Sequence, residues 1–247
     1  DIAGIGKGEG NLLALLIGDG LQPVGIFFGN TAAECDLAAS PEKRNCVVPF
    51  LLAAAKGKIT AMDIDVKFNG GAYTTLSAVV LQRGIIASPG VYNVPNVRVR
   101  GRALKTNTTP SGAYRGFGAP QTFFSVESIM NHIAQDLGVK PLDFKIANLA
   151  KQGDLTSTSG RYHYPVPLPE MIEEIDKACD YRKKYEEYAK PQTGRYRRGI
   201  GMSMYFHGAG FTGSAERDSI KAVAKLHKTA DGFVTALGSN SDIGQGL

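Results

Sequence analysis

Arg115 and Phe117 stand two residues apart in TPSGAYRGFGAP, the stretch from Thr109 to Pro120. Gly112, Gly116 and Gly118 surround them and leave little side chain nearby. Glycine lets backbone approach a ligand closely and present its N–H donors. A proline after such a run starts a helix, and a helix N-terminus favours negative charge. Arg115 adds a fixed, forked cation and Phe117 a flat π-face. The combination suits an anionic or electron-rich planar ligand held at a strand–loop–helix junction. On composition alone a plain tight turn fits equally well.

RGFG also begins the RNA-binding octamer of an RRM sheet. Here Ala119 and Pro120 follow. Alanine removes the second stacking ring, and proline does not fit a central strand. The octamer therefore fails where its mechanism needs it. The net charge of +5 suits anionic ligands but is weak support for nucleic acid.

The elements that must position this loop are legible on both sides of it. Met62, Ile64, Val66 and Phe68 alternate with Asp63, Asp65 and Lys67, which predicts a strand with one buried face. Asn69-Gly70-Gly71 supplies turn chemistry at its end. Val97 and Val99 alternate with Arg98 and Arg100, a second strand. After Pro120 the period changes: Phe123, Val126, Met130, Ile133 and Leu137 share one helix face, with Gly138 as the C-terminal stop. Pro141 opens a helix through about Ala150. Pro169 opens another, with Met171, Ile172, Ile175 and Ala178 inward and the charged run RKKYEEYAK as a solvated face. Strand patterns return near Gly199 to Tyr205, Ile220 to His227 and Gly232 to Leu237. The order of elements predicts an α+β fold, with mixed sheets around a central helical block.

The first 48 residues are the least readable. GIGKGEG, Gly4 to Gly10, is neither a GxGxxG fingerprint nor a Walker loop and reads as a flexible glycine loop before the apolar run Leu12 to Ile17. That run is far below the roughly 18 to 20 residues a membrane span needs. At 247 residues and 43% hydrophobic content, the chain can bury a real core as one large domain or two modest ones. Cys35, Cys46 and Cys179 are widely separated with no CxxC, so the chain carries no iron–sulfur or zinc signature of its own. An odd cysteine count and an acidic, glycine-rich start without a secretory pattern predict reduced thiols and a cytoplasmic location. The absence of an initiator Met predicts a piece or a processed product.

From about residue 58 to 247 the sequence resembles one family. GGAYTTLSAVVLQRG, then YNVPNVRVRGRALKTNTTPSGAYRGFGAPQ, the helix to LGV, and FKIANLAKQGD carry the likeness. RGFGAPQ and the terminal IGQGL are its most specific pieces. The chain is similar to the molybdopterin-binding part of the molybdenum hydroxylases: xanthine dehydrogenases, aldehyde oxidases and their bacterial aromatic-hydroxylating relatives.

The resemblance implies a molybdenum–molybdopterin cofactor, plain or as the cytosine dinucleotide, and hydroxylation of an electron-poor carbon with oxygen from water. It implies electrons passed to 2Fe–2S and FAD groups on partner domains or subunits. Position by position, Arg115, Gly116 and Phe117 match the loop beside the metal, and Phe117 matches a ring that stacks on substrate. Arg83, in LQRG, matches an arginine that neutralises charge building on a purine or aromatic ring. Phe211 and Thr212, in HGAGFTG, match a second substrate-facing pair. Gly244, Gln245 and Gly246 match a loop that hydrogen-bonds the pterin. No residue of this chain is expected to ligate the metal directly. Taken alone, Arg83 reads as a surface or ion-paired arginine, Phe211 as core, and His207 as structural.

The departures from the pattern also carry expectations. The family's catalytic glutamate falls beyond the GQG loop, so no general base is nominated; Glu216 lies near Phe211 and Thr212, but its frame does not match. Residues 1–48 have no alignable frame, and residues 49–247 read as a partial molybdopterin-binding domain that stops after the GQG loop. Carbon monoxide dehydrogenases carry a cysteine where Gly116 stands, which disfavours carbon monoxide as substrate. Arg83 favours purines and other N-heteroaromatics over simple aldehydes. Two functions follow: a component of a hydroxylase acting on a small planar substrate, or a catalytically empty structural or assembly subunit, the second favoured by the lack of a glutamate.

Overall fold

The computed structural model describes residues 12–15, 24–31, 46–55, 57–208, 223–238, 242 and 246. Five strands form one sheet in chain order: β1 (Leu12–Leu15), β2 (Val24–Thr31), β3 (Cys46–Ala55), β4 (Lys58–Gly71) and β5 (Asn96–Lys105). The first three pairings are antiparallel, while β4 and β5 run parallel. A parallel pair needs a crossover, and α1 (Ser77–Ala87) supplies it. The alternation read from the sequence is realised in β4. Met62, Ile64, Val66 and Phe68 are buried, and Asp63 and Asp65 face the other side. There Arg98 and Arg100 of β5 pair with Asp63, and Arg102 lies 3.0 Å from Asp65.

Four helices follow: α2 (Ala119–Asp136), α3 (Pro141–Ala147), α4 (Leu168–Cys179) and α5 (Tyr181–Tyr188). Val126, Ile129, Met130, Ile133 and Ala134 of α2 join the β4 residues in one core. Leu137, expected on the same face, is instead exposed at the helix end. The stop is as expected: Gly138 has φ 67°, and Val139 N donates to Ala134 O at 2.9 Å. α1 lies hard against the sheet. A Cβ on Gly84 would come 2.8 Å from Phe68 Cζ, so only glycine permits this approach.

The structure departs from the sequence reading in further places. α3 ends at Ala147, short of Ala150, because the Asn148 side chain takes over the local hydrogen bonds. Its Oδ1 accepts from Ile59 N at 2.8 Å, and its Nδ2 donates to Gly57 O at 3.0 Å. The charged helix is two helices, broken at Asp180 in a left-handed conformation. In α4 only Ile172 of the expected inward set is deeply buried, while Met171 and Ile175 are 52% and 44% exposed. Residues 199–205 form no strand. The closing pair, β6 (Lys225–Lys228) and β7 (Val234–Leu237), is an antiparallel hairpin apart from the main sheet. Ile220 to Ala222 and the GIGKGEG loop lie outside the described residues. Among the described residues, no helix is long and apolar enough to cross a membrane. The architecture is thus a mixed α/β fold with two short sheets and a central helical block.

Candidate functional site

β5 runs out at Lys105, and the chain loops back to start α2 at Ala119. Just before the helix, three successive residues have positive φ: Gly116 (97°), Phe117 (49°) and Gly118 (86°). A side chain at either glycine meets a wall. A Cβ would lie 2.5 Å from Pro120 Cγ at Gly116, and 2.4 Å from Val80 O at Gly118. Phe117 is not a glycine, so its left-handed backbone is strained by about 1–2 kcal/mol. Two hydrogen bonds hold it: Phe117 N to Tyr114 O at 2.9 Å, and Ala119 N to Gly116 O at 3.1 Å. Pro120 occupies the first turn of α2, which contains no acidic residue. The positive end of the helix dipole is thus left without a competing carboxylate.

A cleft of about 650 Å³ opens beside this loop. Arg115, Gly116 and Pro120 form one end, Phe123 and Phe124 of α2 form a wall, and Met202, Met204 and Tyr205 face them. The Phe123 and Tyr205 rings approach to 5.6 Å between centroids, tilted by 37°. Arg115 is exposed at the cleft and can meet an anion there.

The floor of the cleft is ionic. Lys145 Nζ lies 2.8 Å from Glu127 Oε2, and their side chains are 2% and 6% exposed. Lys145 also donates to Met202 O at 3.0 Å, and Met204 N donates to Glu127 Oε2 at 3.3 Å. Tyr92 OH donates to Glu127 Oε1. Burial first, then the Glu127 charge and the hydrogen bond to it, push the Tyr92 phenol well above its ordinary range. None of these three residues was singled out from sequence. The available signal was Glu127, which stands four residues after Phe123 and three before Met130, inside the apolar stripe of α2. A charge on a buried face needs a partner.

The residues expected at the site are only partly brought together. Arg115 and Gly116 line the cleft, whereas Arg83 and Phe117 do not. Arg83 sits half-buried on α1 and makes an interaction of its own. Its neighbour Gly84 packs on the loop, where a Cβ would lie 3.5 Å from Gly118 O. The α1 turn carrying Arg83 and the loop carrying Phe117 therefore touch through backbone. His207, read as structural, lines the cleft. Gly246 is exposed, and its N–H donates to Asp242 Oδ1 at 3.4 Å. Phe211, Thr212, Glu216, Gly244 and Gln245 lie outside the described residues. Among the described residues, no three His, Cys, Asp or Glu side chains converge as a metal-ligand set.

The cleft joins two stretches that match known families separately. A first molybdopterin cofactor-binding domain matches residues 33–149, and a second matches residues 174–247. The chain belongs to the molybdopterin cofactor-binding family of the xanthine dehydrogenase and aldehyde oxidoreductase type. Within that family it is 33% identical over 194 residues to the aldehyde oxidoreductase of Megalodesulfovibrio gigas, a match covering 78% of this chain and 20% of the relative. It is 32% identical over 216 residues to the xanthine dehydrogenase of Emericella nidulans, covering 86% of this chain and 16% of the relative. The solved aldehyde oxidoreductase from Desulfovibrio gigas superposes with a TM-score of 0.65 at 30% identity, over 77% of this chain and 20% of that one. This member thus spans a fifth or less of the length of these relatives.

Proposed function

We propose that this chain forms part of the molybdenum subunit of a cytoplasmic hydroxylase that oxidises a purine, another N-heteroaromatic or an aldehyde. Oxygen comes from water, and electrons leave to iron–sulfur and flavin partners. The observation that supports this reading is the cleft between the two family-matched stretches, with the Arg115–Gly118 loop at its end. The residues there fit an anionic, phosphate-bearing pterin. Arg115 and Gly116 line the cleft, Arg115 presents a cation, and the first turn of α2 carries no acid.

When bound, the molybdenum–pterin group supplies the two-electron oxidation. The chain's own residues bind and orient. Arg115 and the amides near Gly116 hold negative charge, and Gly244, Gln245 and Gly246 add hydrogen bonds to the pterin. Phe117 and Phe211 sandwich a flat substrate, with Thr212 beside it. Arg83 neutralises negative charge as it builds on the ring.

The test is turnover of the complete hydroxylase carrying Arg83→Ala or Phe117→Ala. Losing a cation that acts only as charge builds lowers kcat by roughly 10²–10³-fold. Unchanged turnover in both variants would contradict this reading and favour a catalytically empty assembly role.

A further inference from the structure

We infer that the buried Glu127–Lys145 pair is a clasp that holds residues 202–204 against α2 and so sets the width of the cleft. The clasp itself stands on geometry. Its consequence for ligand binding rests on the function proposed above.

The hydrogen bonds have a direction. Lys145 Nζ donates to Met202 O, and Glu127 Oε2 accepts from Met204 N. In a parallel ladder, a neighbouring residue donates to the C=O of one residue and accepts from the N–H two positions later. The two side chains present that pattern to the backbone on either side of Ser203. They stand in for a strand that is not there. This explains why GMSMYF alternates like a strand and yet pairs with none. It also explains how Met202 O and Met204 N are satisfied in a wall facing apolar rings.

Glu127 and Lys145 belong to the first matched stretch, and Met202 and Met204 to the second. The pair therefore links the two stretches across the cleft floor. Tyr92 fixes the other carboxylate oxygen, leaving the Glu127 head little freedom to turn away. Stability alone does not call for such a pair, because apolar residues of similar volume are often as stable in its place. What apolar residues lack is the donor and acceptor that dictate where residues 202–204 lie.

The experiment is hydrogen exchange by mass spectrometry on the intact subunit carrying Glu127→Leu together with Lys145→Met. The clasp predicts roughly tenfold or faster exchange over residues 199–207, with α2 protection reduced far less. Unchanged protection over 199–207 would overturn it, because packing alone would then hold the segment. If the double variant does not fold, Glu127→Gln together with Lys145→Met, which leaves no buried charge, is read the same way. Faster exchange concentrated in 199–207 supports the clasp, and a rise spread equally over α2 overturns it. The readout is exchange rather than turnover, so failure of the proposed enzyme activity leaves this test intact.

Discussion

Replacing Gly118 by Ala probes the loop geometry on which the site depends. Gly118 has φ 86°, and an L-residue there costs about 1–2 kcal/mol in backbone strain. The new methyl would stand 2.4 Å from Val80 O, 2.9 Å from Phe68 Cε2 and 3.1 Å from Val80 Cγ1. The first of these is backbone of α1 and cannot swing aside. Overpacking of this kind costs about 1–3 kcal/mol. The sum is about 2–5 kcal/mol. At about 2–4 °C per kcal/mol for a chain of this size, melting falls by on the order of 10 °C. Gly112→Ala is the internal control. It lies in the same loop, is exposed, and its Cβ would meet nothing within 4 Å. Thermal unfolding of the two variants side by side decides the matter. A Gly118→Ala midpoint within about 2 °C of Gly112→Ala would refute the claim that α1 and the loop are locked backbone to backbone.

Two further perturbations test the ionic contacts. Lys145→Met leaves the Glu127 carboxylate buried without its cation and should cost about 3–5 kcal/mol, read as a lowered denaturation midpoint; a loss below about 1 kcal/mol would contradict the buried pairing. The Arg98 hydrogen bond, helped by the Arg100 charge against the opposing effects of burial and Asp65, holds the Asp63 carboxyl below its ordinary range. A depressed carboxyl contributes stability above its unfolded pKa of about 3.9 and loses it as pH falls through the lower folded value. The stability gap between the parent and Asp63→Asn should therefore close as pH drops below about 4. A gap that stays constant down to acid unfolding would contradict the pairing.

Local signals made much of the fold legible, and long-range ones hid the rest. The alternation of β4 and the 3.6 period of α2 are properties of consecutive residues, so Met62 to Phe68 and Val126 to Ile133 could be placed from pattern alone. Pro120 and Gly138 marked the ends of α2 because φ preference is a local property. The end of α3 was not legible, since Asn148 stops it by bonding to Gly57 and Ile59 some 90 positions earlier. GMSMYF misled because its alternation is real, while its hydrogen-bond partners are side chains rather than a strand. At the site, Arg115 and Gly116 could be named from glycine chemistry and family likeness. Glu127, Lys145 and Tyr92 could not, because their meaning lies in contacts between residues up to 35 positions apart.

The most direct measurement is the molybdenum and pterin content of the native complex that contains this chain, purified without oxygen. Both should be present, and Arg115→Ala should lower pterin retention. A complex holding neither molybdenum nor pterin would contradict it.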